Sequence, residues 1–119
     1  MSDAQNSLSV KVELPREDAV LLTVEGDLDS ATATALQRHL AEQLGQGRRH
    51  FLLDIGGVPF MDSSGMNIIL RVYQEVRDCA GGVYVIRPTP AVRRILDLTG
   101  VSLTVPMLDS VDEALSAVG

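Results

Sequence analysis

From Leu8 to Leu14, apolar positions fall on every second residue. Leu8, Val10, Val12 and Leu14 alternate with Ser9, Lys11 and Glu13, as in a strand with one solvated face. Pro15–Asp18 reads as a turn, and the run AVLLTVEG that follows is apolar on both faces, as expected of a more central strand. GDLDS then ends the strand and opens a helix, with Asp29 or Ser30 as the N-cap. Ala33, Leu36, Leu40 and Leu44 form its apolar stripe, and GQG at 45–47 stops it.

The second half repeats this alternation. Arg48–Ile55, RRHFLLDI, is a third strand, and GGVPFMD leads tightly into a second helix starting near Ser63. Ile69, Val72, Tyr73, Val76 and Cys79 predict the buried stripe of that helix, with Gly81-Gly82 ending it. VYVIR is a fourth strand. A third helix follows, with Pro90 in its first turn, Val92, Ile95, Leu96 and Thr99 facing inward, and Gly100 beyond its end. VSLTVP reads as a short last strand, and DSVDEALSAV as a closing helix capped by Asp109 or Ser110. The predicted order is ββαβαβαβα: one α/β domain with a mixed sheet of about five strands and about four helices. Residues 1–7 are expected to be a flexible tail and 8–119 the domain.

Composition narrows the function classes. The 119 residues suit one core that needs no staple. The lone cysteine excludes an internal disulfide and fits a reducing compartment, and one Cys with two His make no metal cluster. No cofactor is implied. No signal peptide or membrane-length apolar run is present, so a cytoplasmic protein with no membrane association is expected. A net charge of −6 and four aromatics argue against a nucleic-acid partner. A protein partner is favoured.

Asp62-Ser63-Ser64-Gly65 sits where a loop runs into a helix N-terminus, toward which unpaired amides and the positive dipole end point. Asp62 or Ser63 as a cap accounts for one short polar residue, a contribution of about 1 kcal/mol. Two consecutive hydroxyls and a glycine inside the first turn exceed what a cap needs. The glycine is expected to leave the hydroxyls unshielded and to admit a partner's backbone.

FLLDIGGVPFMDSSGMNIILRVYQEV resembles the signature segment of STAS domains of the anti-anti-sigma type, a strand and loop leading into F-[ML]-D-S-[ST]-G and an apolar helix. GDLDSATATAL resembles the family's G-E-L-D-x-x-T-A segment, and PTPAVRRILDLTGV its third helix, so the likeness runs from about Leu8 to Val118. The resemblance implies an anti-sigma factor antagonist whose phosphoacceptor is Ser63. It implies that the unphosphorylated form binds an anti-sigma factor with GHKL-type serine kinase activity and frees a sigma factor. Phosphorylation would abolish binding, and a PP2C-type phosphatase would reset the switch. Such partner switching regulates transcription in stress responses or sporulation. Asp27, Asp29 and Ser30 would share the docking surface with Asp62, Ser63, Ser64, Gly65, Met66 and Asn67. The family usually has S-G-L-G where this chain has Ser64-Gly65-Met66-Asn67, so Asn67 is a candidate tuner of partner choice.

An enzyme is not expected. Ser63 lacks the G-x-S-x-G elbow, because Met61 stands where glycine is required. His39 reads as solvated, His50 begins a strand, and Asp54 has no second carboxylate to work with. Arg48-Arg49 and Arg93-Arg94 read as solvated pairs, and no P-loop is present. The alternative is another STAS role: a subunit of a lipid-transport ABC complex, or a stressosome-type scaffold.

Overall fold

The structure, a computed structural model, describes residues 8–118. The tail predicted at 1–7 lies outside the described residues. The first two apolar runs form a hairpin, β1 (Ser9–Arg16) and β2 (Ala19–Glu25), and the later elements are α1 (Ala33–Gly45), β3 (His50–Gly57) and α2 (Ser63–Arg77). They continue with β4 (Gly82–Ile86), α3 (Pro90–Leu98), a single helical turn α4 (Val101–Thr104), β5 (Met107–Leu108) and α5 (Val111–Val118).

The strands lie in one sheet in sequence order, β1-β2-β3-β4-β5. β1 and β2 are antiparallel and the remaining neighbours parallel, as strands joined by helical crossovers are. Side-chain alternation along the strands builds two cores. Val20, Leu22, Val24, Phe51, Leu53, Ile55, Val83 and Val85 face α1, α2 and α3, which contribute Leu36, Leu40, Ile69, Val72, Val76, Val92 and Leu96. Ala19, Leu21, Leu52 and Ile86 face the other way, against Ala114 of α5. Both faces of β2, β3 and β4 are thus covered, which is why these strands are nearly continuous apolar runs.

Four expectations need correction. VSLTVP is not the last strand. Gly100 takes φ +82° and turns the chain directly into α4, so the alternation of Val101, Leu103 and Val105 conceals helical spacing. Val101 and Val105 are buried four residues apart while Leu103 is 90% exposed, and the strand that pairs with Val85 and Ile86 comes later, at Met107–Leu108. In α2 the buried stripe holds Ile68 and excludes Cys79, because the helix ends at Arg77 and leaves Cys79 exposed in the following turn. Thr99 is exposed, its hydroxyl donating to the Ile95 carbonyl at 2.7 Å as α3 closes. Leu14, expected on the inner face of β1, is also exposed, lying where the pairing with β2 becomes irregular between Glu13 and Arg16.

The helix ends follow local chemistry. Thr89 caps α3 by accepting from the Val92 amide, with Pro90 at the first helical position. Of the two candidates for α5, Ser110 accepts from the Glu113 amide at 3.1 Å, and the Glu113 carboxylate accepts from the Asp109 amide at 3.0 Å.

Candidate functional site

The site begins with a two-residue bridge. Beyond β2 and β3 the chain does not diverge: Gly26 N–H donates to the Gly57 carbonyl at 3.0 Å, Leu28 N–H to the Phe60 carbonyl at 2.9 Å, and Asp62 N–H to the Leu28 carbonyl at 3.2 Å. Leu28 and Met61 therefore pair as an isolated parallel bridge, and both side chains are fully buried. Because extended backbone alternates its side chains, their neighbours point the other way. Asp27 and Phe60 are exposed, and Asp29 and Asp62 are half-buried. Two loops far apart in sequence thereby become one surface.

Asp62 is the N-cap of α2, and its Oδ1 accepts from the Ser64 amide at 2.8 Å. That settles which of Asp62 and Ser63 is the cap, and it leaves the Ser63 side chain free of that duty. Ser63 is the first helical residue and is exposed, while Ser64 is half-buried.

Gly65 has a different role from the one expected. It is buried, and a Cβ there would lie 2.6 Å from Leu28 Cγ and 3.1 Å from Met61 Cγ. The glycine exists so that α2 can close onto the Leu28–Met61 bridge; it is not on the surface where a partner's backbone could approach. Met66 is half-buried against the core, and Asn67 is exposed.

The neighbouring loop is held by its own hydrogen bonds. Asp29 Oδ1 accepts from the amides of Ala31 and Thr32 at 3.0 and 3.2 Å, and its carbonyl from Ala33 at 2.8 Å. Asp29, rather than Ser30, holds the turn that leads into α1, but neither is the expected helix N-cap: that position is Thr32, which makes no side-chain cap bond, and Ser30 is exposed. The sequence reading passed over Thr32, which is only 4% exposed. Its hydroxyl donates to the Asp27 carbonyl at 2.8 Å and accepts from the Asp29 amide at 3.1 Å. The signal was the threonine within GDLDSAT, a hydroxyl lying beyond both of the expected cap residues.

Phe60 was also passed over. It is 49% exposed, three residues before Ser63, an aromatic left in solvent beside the serine motif. Behind the loops, Asp54 is buried at the end of β3. It holds the Arg87 guanidinium at 2.7 Å and the Gly56 amide at 3.1 Å, tying the ends of β3 and β4 together. These contacts give Asp54 a structural role. His39 and His50 are each half-buried, and neither joins the loops. Among the described residues no group of His, Cys, Asp or Glu could hold a metal ion, and no helix is long and apolar enough to cross a membrane.

This is an α/β domain that displays its serine motif on an open surface formed by two stitched loops. The chain belongs to the STAS domain family, whose model matches residues 11–114. It is 28% identical over 109 residues to the protein BtrV of Bordetella bronchiseptica, covering 91% of this chain and 94% of that one. An anti-sigma F factor antagonist of Paenibacillus polymyxa is 28% identical over 111 residues, 92% and 95% of the two chains. The crystal structure of an anti-sigma factor antagonist from Mycobacterium paratuberculosis superposes with a TM-score of 0.86 at 29% identity, covering 95% of each chain.

Proposed function

We propose that this chain is an anti-sigma factor antagonist that works as a binding switch, with Ser63 as its phosphoacceptor. The observation that carries the reading is the exposed Ser63 hydroxyl at the first position of α2, relieved of capping by Asp62 and set beside the Asp27–Ser30 loop. Whole-length relatives that are themselves anti-sigma factor antagonists support it.

In this reading the unphosphorylated surface, comprising Asp27, Asp29, Ser30, Phe60, Asp62, Ser63, Ser64 and Asn67, docks on an anti-sigma factor with GHKL-type kinase activity. Gly65 and Met66 support that surface from beneath. Phosphate on Ser63 adds about −1.5 to −2 charges beside Asp62 and the Asp27–Asp29 loop. The helix dipole tolerates that charge within the domain, so its cost falls on the interface. A PP2C-type phosphatase reverses the step.

The test combines chemistry with affinity. Phosphopeptide mass spectrometry after incubation with the cognate kinase and ATP is expected to place phosphate on Ser63 rather than on the less accessible Ser64. Ser63→Asp is expected to weaken kinase binding at least tenfold, about 1.4 kcal/mol by calorimetry. Its unfolding free energy should stay within about 1 kcal/mol of the parent, since an acid at a helix N-terminus is not unfavourable. Phosphate found mainly on Ser64, or a mutant that unfolds as it loses binding, rejects the switch. Recovery of an ABC-transporter subunit by Ser63→Ala bait, in place of a kinase, does the same.

A further inference from the structure

We propose that the outer edge of β1 is a docking edge for a second copy of this chain, the two β1 strands pairing antiparallel into one continuous sheet. β1 is an edge strand of eight residues, and its outward N–H and C=O groups form a ready template for another strand. Such edges are ordinarily blunted by charge or proline, and this one carries Lys11 and, near its end, Pro15. The six residues Ser9–Leu14 nevertheless form an unbroken segment, paired regularly with β2 as far as Glu13.

The charges on that segment are arranged for self-pairing. With Val12 opposite Val12 of the second copy, Lys11 lies opposite Glu13 of the second copy, and the twofold axis repeats the pair. In the same register Val10 faces Leu14 of the second copy. Leu14 is 51% exposed within one chain and gains an apolar neighbour by this pairing. Lys11 and Glu13 are both exposed, and among the described residues neither forms an ion pair within the chain. Lys11 therefore discourages an arbitrary edge and is answered by the Glu13 of an antiparallel copy. Opposite charges directly across a strand pair stabilise it, and like charges destabilise it.

The pairing leaves the candidate site open. Ser63 belongs to α2, which follows β3, two strands in from the β1 edge. A dimer formed this way carries two switch surfaces and joins them without using either.

Sedimentation velocity on the full chain across a concentration series tests this. The parent protein is expected to show a reversible monomer–dimer equilibrium below about 1 mM, the weak end of specific association. Lys11→Glu sets Glu against Glu twice, and Glu13→Lys sets Lys against Lys twice. Each is expected to weaken the dimer roughly tenfold. Mixing the two variants places opposite charges across both pairs again and should restore association as a heterodimer, and the double variant K11E/E13K should recover the homodimer. Both positions are solvent-facing, so circular dichroism should show each variant folded. A parent that is monomeric throughout the range overturns the proposal. So does a dimer indifferent to either reversal, because it must use another face, for example the one bearing the exposed Leu98 and Leu103.

Discussion

Single residues at the site act mainly by what they allow their neighbours to do. Gly65 is the clearest case. Its missing side chain is the space filled by Leu28, and through Leu28 the two loops stay joined. Gly65→Ala is expected to lower the unfolding free energy by about 1–3 kcal/mol, the usual cost of overpacking a filled core. Leu28→Ala alone should cost about 2–5 kcal/mol by leaving a cavity. Combined, the two should cost less than their sum, since the methyl added at position 65 enters the space vacated at 28. Denaturant titration of the four proteins measures that coupling. Strict additivity would mean that the two residues do not compete for one volume. Asp62 works similarly: as the cap, it leaves the Ser63 hydroxyl free of capping.

Helix ends decide how the elements are joined. Gly81 and Gly82 promised the stop of α2, but the residue that takes the left-handed conformation is Ala80, at φ +61°. Gly81 is needed for a different reason: its amide donates to the Val76 carbonyl at 2.7 Å, and a Cβ would collide with the Arg49 carbonyl oxygen. A side chain in the left-handed region costs about 1–2 kcal/mol. Ala80→Gly is therefore expected to stabilise the protein by up to about 1 kcal/mol, after the added freedom of the unfolded chain is deducted. Gly81→Ala, which clashes with backbone, should destabilise it by more than Ala80→Gly stabilises it. Chemical denaturation read by circular dichroism checks both. Stabilisation by Gly81→Ala would contradict the close approach of β3 to this turn.

In the whole molecule, parallel β2, β3 and β4 deliver their connections at one end of the sheet, and the site is built there from the loops after β2 and β3. The ion pair of buried Asp54 with exposed Arg87 braces the same end. Because the surface is held by backbone hydrogen bonds and a buried bridge, it is preformed, and its exposed aromatic can bind without reorganisation. On the proposed function, Phe60→Ala is expected to weaken binding to the anti-sigma partner at least tenfold, about 1.4 kcal/mol. Its carbonyl still accepts from Leu28, so stability should change by less than about 1 kcal/mol. Calorimetric titration beside a melting curve separates the two. Unchanged affinity would place the partner's footprint away from Phe60.

The sequence by itself determined the α/β class, the hairpin followed by crossovers, and the capped serine motif. These are local matters: side-chain period, cap chemistry and turn residues are written within a few positions of where they act. Even Asp62 as the cap of α2 was legible as a candidate, since a cap binds amides two or three residues ahead. Only the tertiary structure decided which residues meet across the fold. That Gly65 faces Leu28 rather than solvent, that Thr32 ties down Asp27, and that Phe60 is left exposed beside Ser63 all depend on a pairing between residues 28 and 61. The last strand shows the same limit at short range. Val101, Leu103 and Val105 alternate as a strand would, but Val101 and Val105 also stand one helical turn apart. The choice between the two periods was made by the positive φ of Gly100 and by the core waiting on one side.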